Sequence, residues 1–263
     1  MEYSVHSYTT KSKLHKNNED SHFICDDYII VADGMGGESD GDIASRIAVE
    51  SIDSLLSKNI SNVSSEKDIK SLLSQAVDKA DSKITDYIED NPDSFGMGTT
   101  TLLAIRRDDD LFISWCGDSH CYSYKGGKIS SITKDHSYVQ QLIDSGHLTI
   151  EESFTHPNNN LITRFVGGGE ETCIPDFCRY HVSESELIIF CSDGLSGYCK
   201  AEDISKAIRN SPNIQDLPQK LTDLAISHGS DDDITIIILV PKTYTTTKTS
   251  NSLFGWFKKF MCP

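Results

Sequence analysis

The chain has 263 residues, 40 of them acidic and 24 basic, for a formal net charge of −16. That length suits one large domain burying roughly 70–75% of its unfolded surface, and 37% hydrophobic residues, with 10 Phe and 10 Tyr, exclude wholesale disorder. The acidic balance argues against a nucleic-acid partner, whose phosphates are gripped by Lys and Arg, and no run of 18 apolar residues exists to cross a membrane.

Tyr3 to Thr9 alternate weakly and read as an edge strand. From His22 to Ala32 two apolar runs flank the turn pair Asp26-Asp27, a β-hairpin whose second arm stops at Asp33-Gly34-Met35-Gly36-Gly37. Two one-sided helices follow. Ile43, Ile47, Ala48, Ile52, Leu55 and Leu56 mark one, and Ile69, Leu72, Leu73, Ala76, Ala80, Ile84 and Ile88 the other. Thr99 to Arg107, Leu111 to Cys116, His120 to Tyr124 and Lys128 to Thr133 then read as a β-meander, with turns at Asp108-Asp109-Asp110, Gly117-Asp118 and Gly126-Gly127.

Between Asp135 and Gly169 the pattern is helical and then irregular, as in a subdomain standing off the sheet. A strand returns at Glu186 to Cys191 and closes on Ser192-Asp193-Gly194. Short helices near Ala201 to Arg209 and Ile214 to His228 precede a last strand, Ile234 to Val240, which follows Asp231-Asp232-Asp233. Residues 242–263 form a Thr/Ser-rich linker and an aromatic, locally basic tail, Leu253 to Met261. Such a tail suits contact with a membrane surface or a partner protein; a tail folded back on the domain or merely disordered is the equal alternative. Eight cysteines form no CxxC and no zinc-spaced cluster. Without a secretion signal they read as free thiols, which places the chain in the cytoplasm, with peripheral membrane contact open to the tail.

The acidic residues sit where chemistry would want them. Asp33, Asp118, Asp193 and Asp232 each fall in a turn at a strand end, and Glu19-Asp20 precede the first hairpin. One turn aspartate is ordinarily structural. Several gathered at one sheet edge would repel one another unless cations neutralise them, and hard oxygen ligands select Mg²⁺ or Mn²⁺. Two such ions can lower the pKa of a shared water from about 15.7 toward about 7, on the order of 12 kcal/mol of help. Covalent alternatives are not read: no C-x5-R loop of a cysteine phosphatase, no GxSxG elbow and no P-loop.

Eight strings occur in a fixed order. They are NNED (17–20), VADGMGG (31–37), GMGTTTLLAI (96–105), GDSH (117–120), DHSYVQQLIDSG (135–146), HPNNNLITRFVGG (156–168), CSDGLSGY (191–198) and GSDDDIT (229–235). In order and spacing the chain resembles the metal-dependent protein phosphatase family 2C, in its bacterial-type form, over about residues 1–240. The resemblance implies an α+β, four-layer α-β-β-α sandwich of two antiparallel sheets flanked by helices, with a flap subdomain at about 135–168. It implies hydrolysis of phosphoserine and phosphothreonine by a water bridging two Mn²⁺ or Mg²⁺ ions. Asp33 would bridge both ions, with the Gly34 carbonyl on one, and Asp193 and Asp232 on the other. Glu19 and Asp20 would orient waters, and Asp118 with Asp193 would hold a third, weaker metal. Phosphorylated proteins, the products of a Ser/Thr kinase, are the implied partners, and a monomer is expected.

Three positions depart from the family's pattern. His15, with Lys16 beside it, stands where an Arg often binds substrate phosphate; an imidazole is only partly charged at neutral pH. Met35 stands where eukaryotic members have a His, so another group must protonate the leaving alkoxide, His15 being one candidate. Asp233 stands where Asn is common. An inactive phosphoprotein-binding module and a different metallohydrolase are the alternatives; the presence of Asp33, Asp193 and Asp232 speaks against the first.

Overall fold

The computed structural model describes residues 2–36, 40–168 and 173–244, so the aromatic tail and Cys262 lie outside the described residues. Strand β3 (Tyr28–Met35) shows how the layers arise. Its apolar residues are buried on both faces, because each face meets a different layer. Ile29 and Val31 point into one core with Phe190 and Ile237, while Tyr28, Ile30 and Ala32 point into another with Ala48, Ile52 and Leu73.

Two antiparallel sheets result. One runs β1 (Tyr3–Thr10), β11 (Ile234–Pro241), β10 (Glu186–Cys191), β7 (His120–Lys125) and β8 (Lys128–Ser131). The other runs β2 (Asp20–Ile24), β3, β5 (Thr101–Arg107), β6 (Asp110–Cys116) and β9 (Asp176–His181), with the short β4 (Gly98–Thr99) on β3. Phe190, Ile188, Ile237 and Leu239 of the first sheet pack against Val31, Leu102 and Ile113 of the second. The outer face of the second sheet is covered by α1 (Gly41–Asn59) and α2 (Glu66–Asp90). Helices α6 (Ala201–Arg209) and α7 (Leu217–Ser227) cover the first. This is the expected four-layer α+β sandwich. Among the described residues no helix is long and apolar enough to cross a membrane.

Helix starts follow local chemistry. Ser65 caps α2 by accepting the Asp68 N–H at 3.1 Å. The 135–168 segment carries α3 (Tyr138–Asp144) and α4 (Ile150–Ser153), the latter closed by a Thr149/Glu152 capping box. Isolated bridges, Ser137 to Ile162 and Thr99 to Val166, tie this flap to itself and to β4.

Three expectations are corrected. The meander is not one sheet: β5–β6 and β7–β8 are hairpins, but β6 and β7 lie in different sheets. The chain crosses between them at residues 117–119, where Gly117 has φ +118° and a Cβ would sit 2.6 Å from the Thr100 side chain. Strand β3 does not stop at Ala32; Asp33 still pairs with Asp20, and Gly34 with Thr99. Finally, β9 has no counterpart among the expected strands. Its charged residues Asp176, Arg179 and His181 suit an edge and mask the alternation.

Candidate active site

The site forms where both sheets end on the same side. Asp33 and Asp20 face each other across β2–β3 of one sheet. From the other, Asp193 opens the helical turn α5 (Asp193–Ser196) directly after β10, and Asp232 precedes β11. Asp118 lies in the crossover between the sheets, and Glu19 just before β2. A cleft of about 520 Å³ is lined by Glu19, Asp33, Asp118, Asp193, Asp231 and Asp232, together with His15, Gly34 and Thr100. Six carboxylates face it, and among the described residues no Lys or Arg does.

Hydroxyls and close backbone contacts hold these acids in place. Thr100 Oγ1 accepts the Asp33 N–H at 3.0 Å, and Thr99 Oγ1 donates to the Asp33 carbonyl at 2.9 Å. Thr100 is itself tied to Ser119, beside Asp118, at 2.7 Å. Across the sheets, Ser192 Oγ donates to Asp20 Oδ2 at 2.7 Å while accepting the Thr235 N–H at 2.9 Å. Gly34 donates its N–H to the Glu19 carbonyl at 3.0 Å, and a Cβ there would stand 2.0 Å from the Gly41 carbonyl oxygen. Gly194 is equally close-packed, 2.0 Å from the Asp233 carbonyl oxygen.

The electrostatics are those of a site built for cations. Burial, then the charges of Asp20, Asp193, Asp232 and Asp118, pushes the Asp33 carboxyl well above the usual range. Burial and the neighbours Asp118 and Asp232 do the same to Asp193. Asp118 is raised to about 7, by burial and then Asp135; Asp20 is raised to about 8, chiefly by burial, against the lowering effect of Ser192. Burial also raises Glu19 and Asp232. Asp20 Oδ1 and Asp193 Oδ1 are buried with no hydrogen-bond partner, which in a finished protein asks for a ligand. Oxygen-only donors of this number fit Mg²⁺ or Mn²⁺. Glu186 is the contrast: a buried acid whose oxygens accept from Ser123, Tyr180 and Ser183, so it is structural.

His15 enters the cleft, whereas Lys16 is exposed and outside its lining. The ligand atoms of His15, Asp232 and Asp233 lie within 4.8 Å of one another. Asp233, however, already accepts the N–H groups of Ser12 at 2.5 Å and Glu19 at 2.6 Å, and His15 Nδ1 at 3.0 Å. Burial draws the His15 imidazole down, but the Asp233 bond and charge outweigh it, and the net shift is upward.

Sequence reasoning missed a second pair. His120 Nδ1 donates to the Asp118 carbonyl at 3.0 Å, leaving Nε2 3.1 Å from Asp135. Burial pushes His120 down to about 4 and Asp135 up to about 8. The two line a neighbouring cavity of about 360 Å³ under the flap, which shares Asp118 and Asp193 with the cleft. The strings GDSH and DHS carried both residues, but only the fold brings them together. One Cys–Arg pair does have C-x5-R spacing, Cys173 and Arg179, contrary to expectation. It makes no phosphate loop: Cys173 is buried with its thiol pushed far up by burial, and Arg179 sits in β9, donating to Asp110 and Glu66.

The protein phosphatase 2C family model matches residues 12–228, and the chain belongs to that family. It is 31% identical to the serine/threonine protein phosphatase PstP of Mycobacterium tuberculosis, over 91% of this chain and 45% of the relative, so it spans about half that protein's length. Among solved structures, the S. agalactiae serine/threonine phosphatase superposes with TM-score 0.83 at 28% identity, covering 91% of this chain and 99% of that one. The PstP catalytic domain in complex with two manganese ions superposes with TM-score 0.78 at 29% identity, covering 90% and 98%.

Proposed function

We propose that this protein is a metal-dependent serine/threonine phosphatase that hydrolyses phosphoserine and phosphothreonine in proteins. The single observation that carries the reading is the cleft with six carboxylates and, among the described residues, no Lys or Arg. Phosphate could not approach so anionic a surface unless bound cations reversed its charge. Two Mn²⁺ or Mg²⁺ ions there supply Lewis acidity toward phosphoryl oxygens and a depressed pKa for water.

Asp33, the Gly34 carbonyl, Asp193 and Asp232, which line the cleft, would hold the two ions. Asp118, with Asp193, serves a third and weaker position. Glu19 and Asp20 order water around the ions, Asp20 being itself fixed by Ser192. His15 grips the substrate phosphate through its free ring edge, a role that the position of Lys16 does not support. The substrates are the products of a serine/threonine kinase. Residues 1–241 form the phosphatase domain with its flap at about 135–168, and residues 242–263 serve contact with a partner or a membrane surface.

The test is hydrolysis of a phosphothreonine peptide by the purified chain with and without Mn²⁺. Turnover that depends on added metal supports the reading. Binding of the peptide without any turnover would instead make this a phosphoprotein-binding module, and preference for a phosphodiester a different hydrolase.

A further inference from the structure

Asp233 is 2% exposed and lies next to Asp232, yet its carboxylate is turned away from the cleft and into the loop that runs from Lys11 to Glu19. Three N–H donors converge on its two oxygens. Oδ1 takes Ser12 N–H at 2.5 Å; Oδ2 takes Glu19 N–H at 2.6 Å and His15 Nδ1 at 3.0 Å. Lys11 closes the other side of the same loop, donating to the carbonyls of Ser12 and His15. The imidazole is thus held by one edge, and Nε2, on the opposite edge, has no partner among the described residues.

An asparagine could not make this set. It offers one acceptor oxygen, and its NH₂ would face either the Glu19 N–H or the ring N–H, donor against donor. A carboxylate accepting from Nδ1–H also favours the imidazolium, in which both ring nitrogens carry hydrogen and Nε2–H can donate to a phosphate oxygen. We propose, resting on the phosphatase reading above, that Asp233 is a positioning residue that locks the His15 ring so that Nε2 is the atom presented to substrate phosphate. His15 and Asp233 are then one device. The histidine supplies the contact, and the aspartate supplies its aim.

The test is a double-mutant cycle on hydrolysis of a phosphothreonine peptide with Mn²⁺, joined to ¹⁵N spectra of the ring, His15 being assigned by its loss in H15A. Asp233→Asn should raise KM by about 5–10-fold, with the smaller part of the loss in kcat, and H15A should raise KM comparably. In the H15A background, Asp233→Asn should change KM by less than about twofold, because the residue through which it acts is gone. An equal rise in both backgrounds would mean that Asp233 acts through Ser12 or Glu19, and would overturn the inference. So would an unchanged KM in H15A.

The spectrum of the unmutated protein needs no variant and no turnover. A His15 Nδ1 proton protected from exchange supports the lock; a bare Nδ1 refutes it. A chain without any phosphothreonine activity would sink the phosphatase reading, leaving this contact to be decided by the ring spectrum alone.

Discussion

At the scale of single residues, the site separates acids that must meet cations from acids that already have partners. On the function proposed above Asp33 and Asp232 belong to the first kind, although Asp232 Oδ1 also accepts the Asp233 N–H at 2.7 Å. Asp33→Asn and Asp232→Asn are each expected to reduce Mn²⁺-dependent turnover by several orders of magnitude with unchanged circular dichroism; near-wild-type kcat in either would remove that residue from the ligand set. Gly34 is constrained differently. A Cβ 2.0 Å from the Gly41 carbonyl forces backbone apart where β3 passes the start of α1. Gly34→Ala should therefore cost about 1–3 kcal/mol in urea unfolding and lower Mn²⁺ affinity as well, since the same shift moves Asp33. Asp33, Asp118, Asp193 and Asp232, which line the cleft, were legible in the sequence as strand-end aspartates, because that placement and the ordered motifs survive without a fold. The three donors on Asp233 and the approach of His120 to Asp135 were not, because residues 15 or more positions apart must first be brought together.

At the scale of elements, period-2 patterning explains both what could be read and what could not. Strands β3, β10 and β11 announce themselves as continuous apolar runs, and the two long helices by their one-sided spacing. The β6–β7 crossover looked like a hairpin because Gly117-Asp118 has the composition of a two-residue turn. Nothing local says that the second arm joins another sheet. Phe190 shows what that second sheet contributes. Fully buried between the layers, it packs with Val31 and Ile237, and Phe190→Ala should destabilise the protein by about 3–5 kcal/mol in a denaturant titration. A loss below 1 kcal/mol would mean that the sheets can collapse onto the gap.

At the scale of the molecule, the carboxylate cluster links metal, pH and stability. Asp20 and Asp118 are raised to about 8 and about 7, above an unfolded value of about 3.9, and burial with neighbouring carboxylates also raises Asp33 and Asp193 well above it. A raised pKa means that the folded state holds its proton more tightly. The metal-free protein therefore keeps the associated stability below about pH 4 and loses it progressively as pH climbs through 7 and 8. Cations reverse that loss. At 100 times its Kd, Mn²⁺ should add about 2.7 kcal/mol, or roughly 5–10 °C in Tm, near pH 8, and much less near pH 5.5. Equal shifts at the two pH values would show that the bound ions do not depend on these carboxylates. Deleting residues 245–263 should leave Mn²⁺-dependent hydrolysis of a small phosphoester unaltered; its loss would make the tail part of the domain.

The crossing of the chain from one layer to the other at residues 117–119 has a mechanical meaning. Asp33 and Asp20 ride on one sheet, Asp193 and Asp232 follow or precede strands of the other, and Asp118 lies on the crossing from β6 to β7. The acidic cluster is thus a seam, and an ion seated in it works as a rivet through both plates. Loading the metal should slow amide exchange in β3 and β10 together, as one cooperative block, although the two strands belong to different sheets.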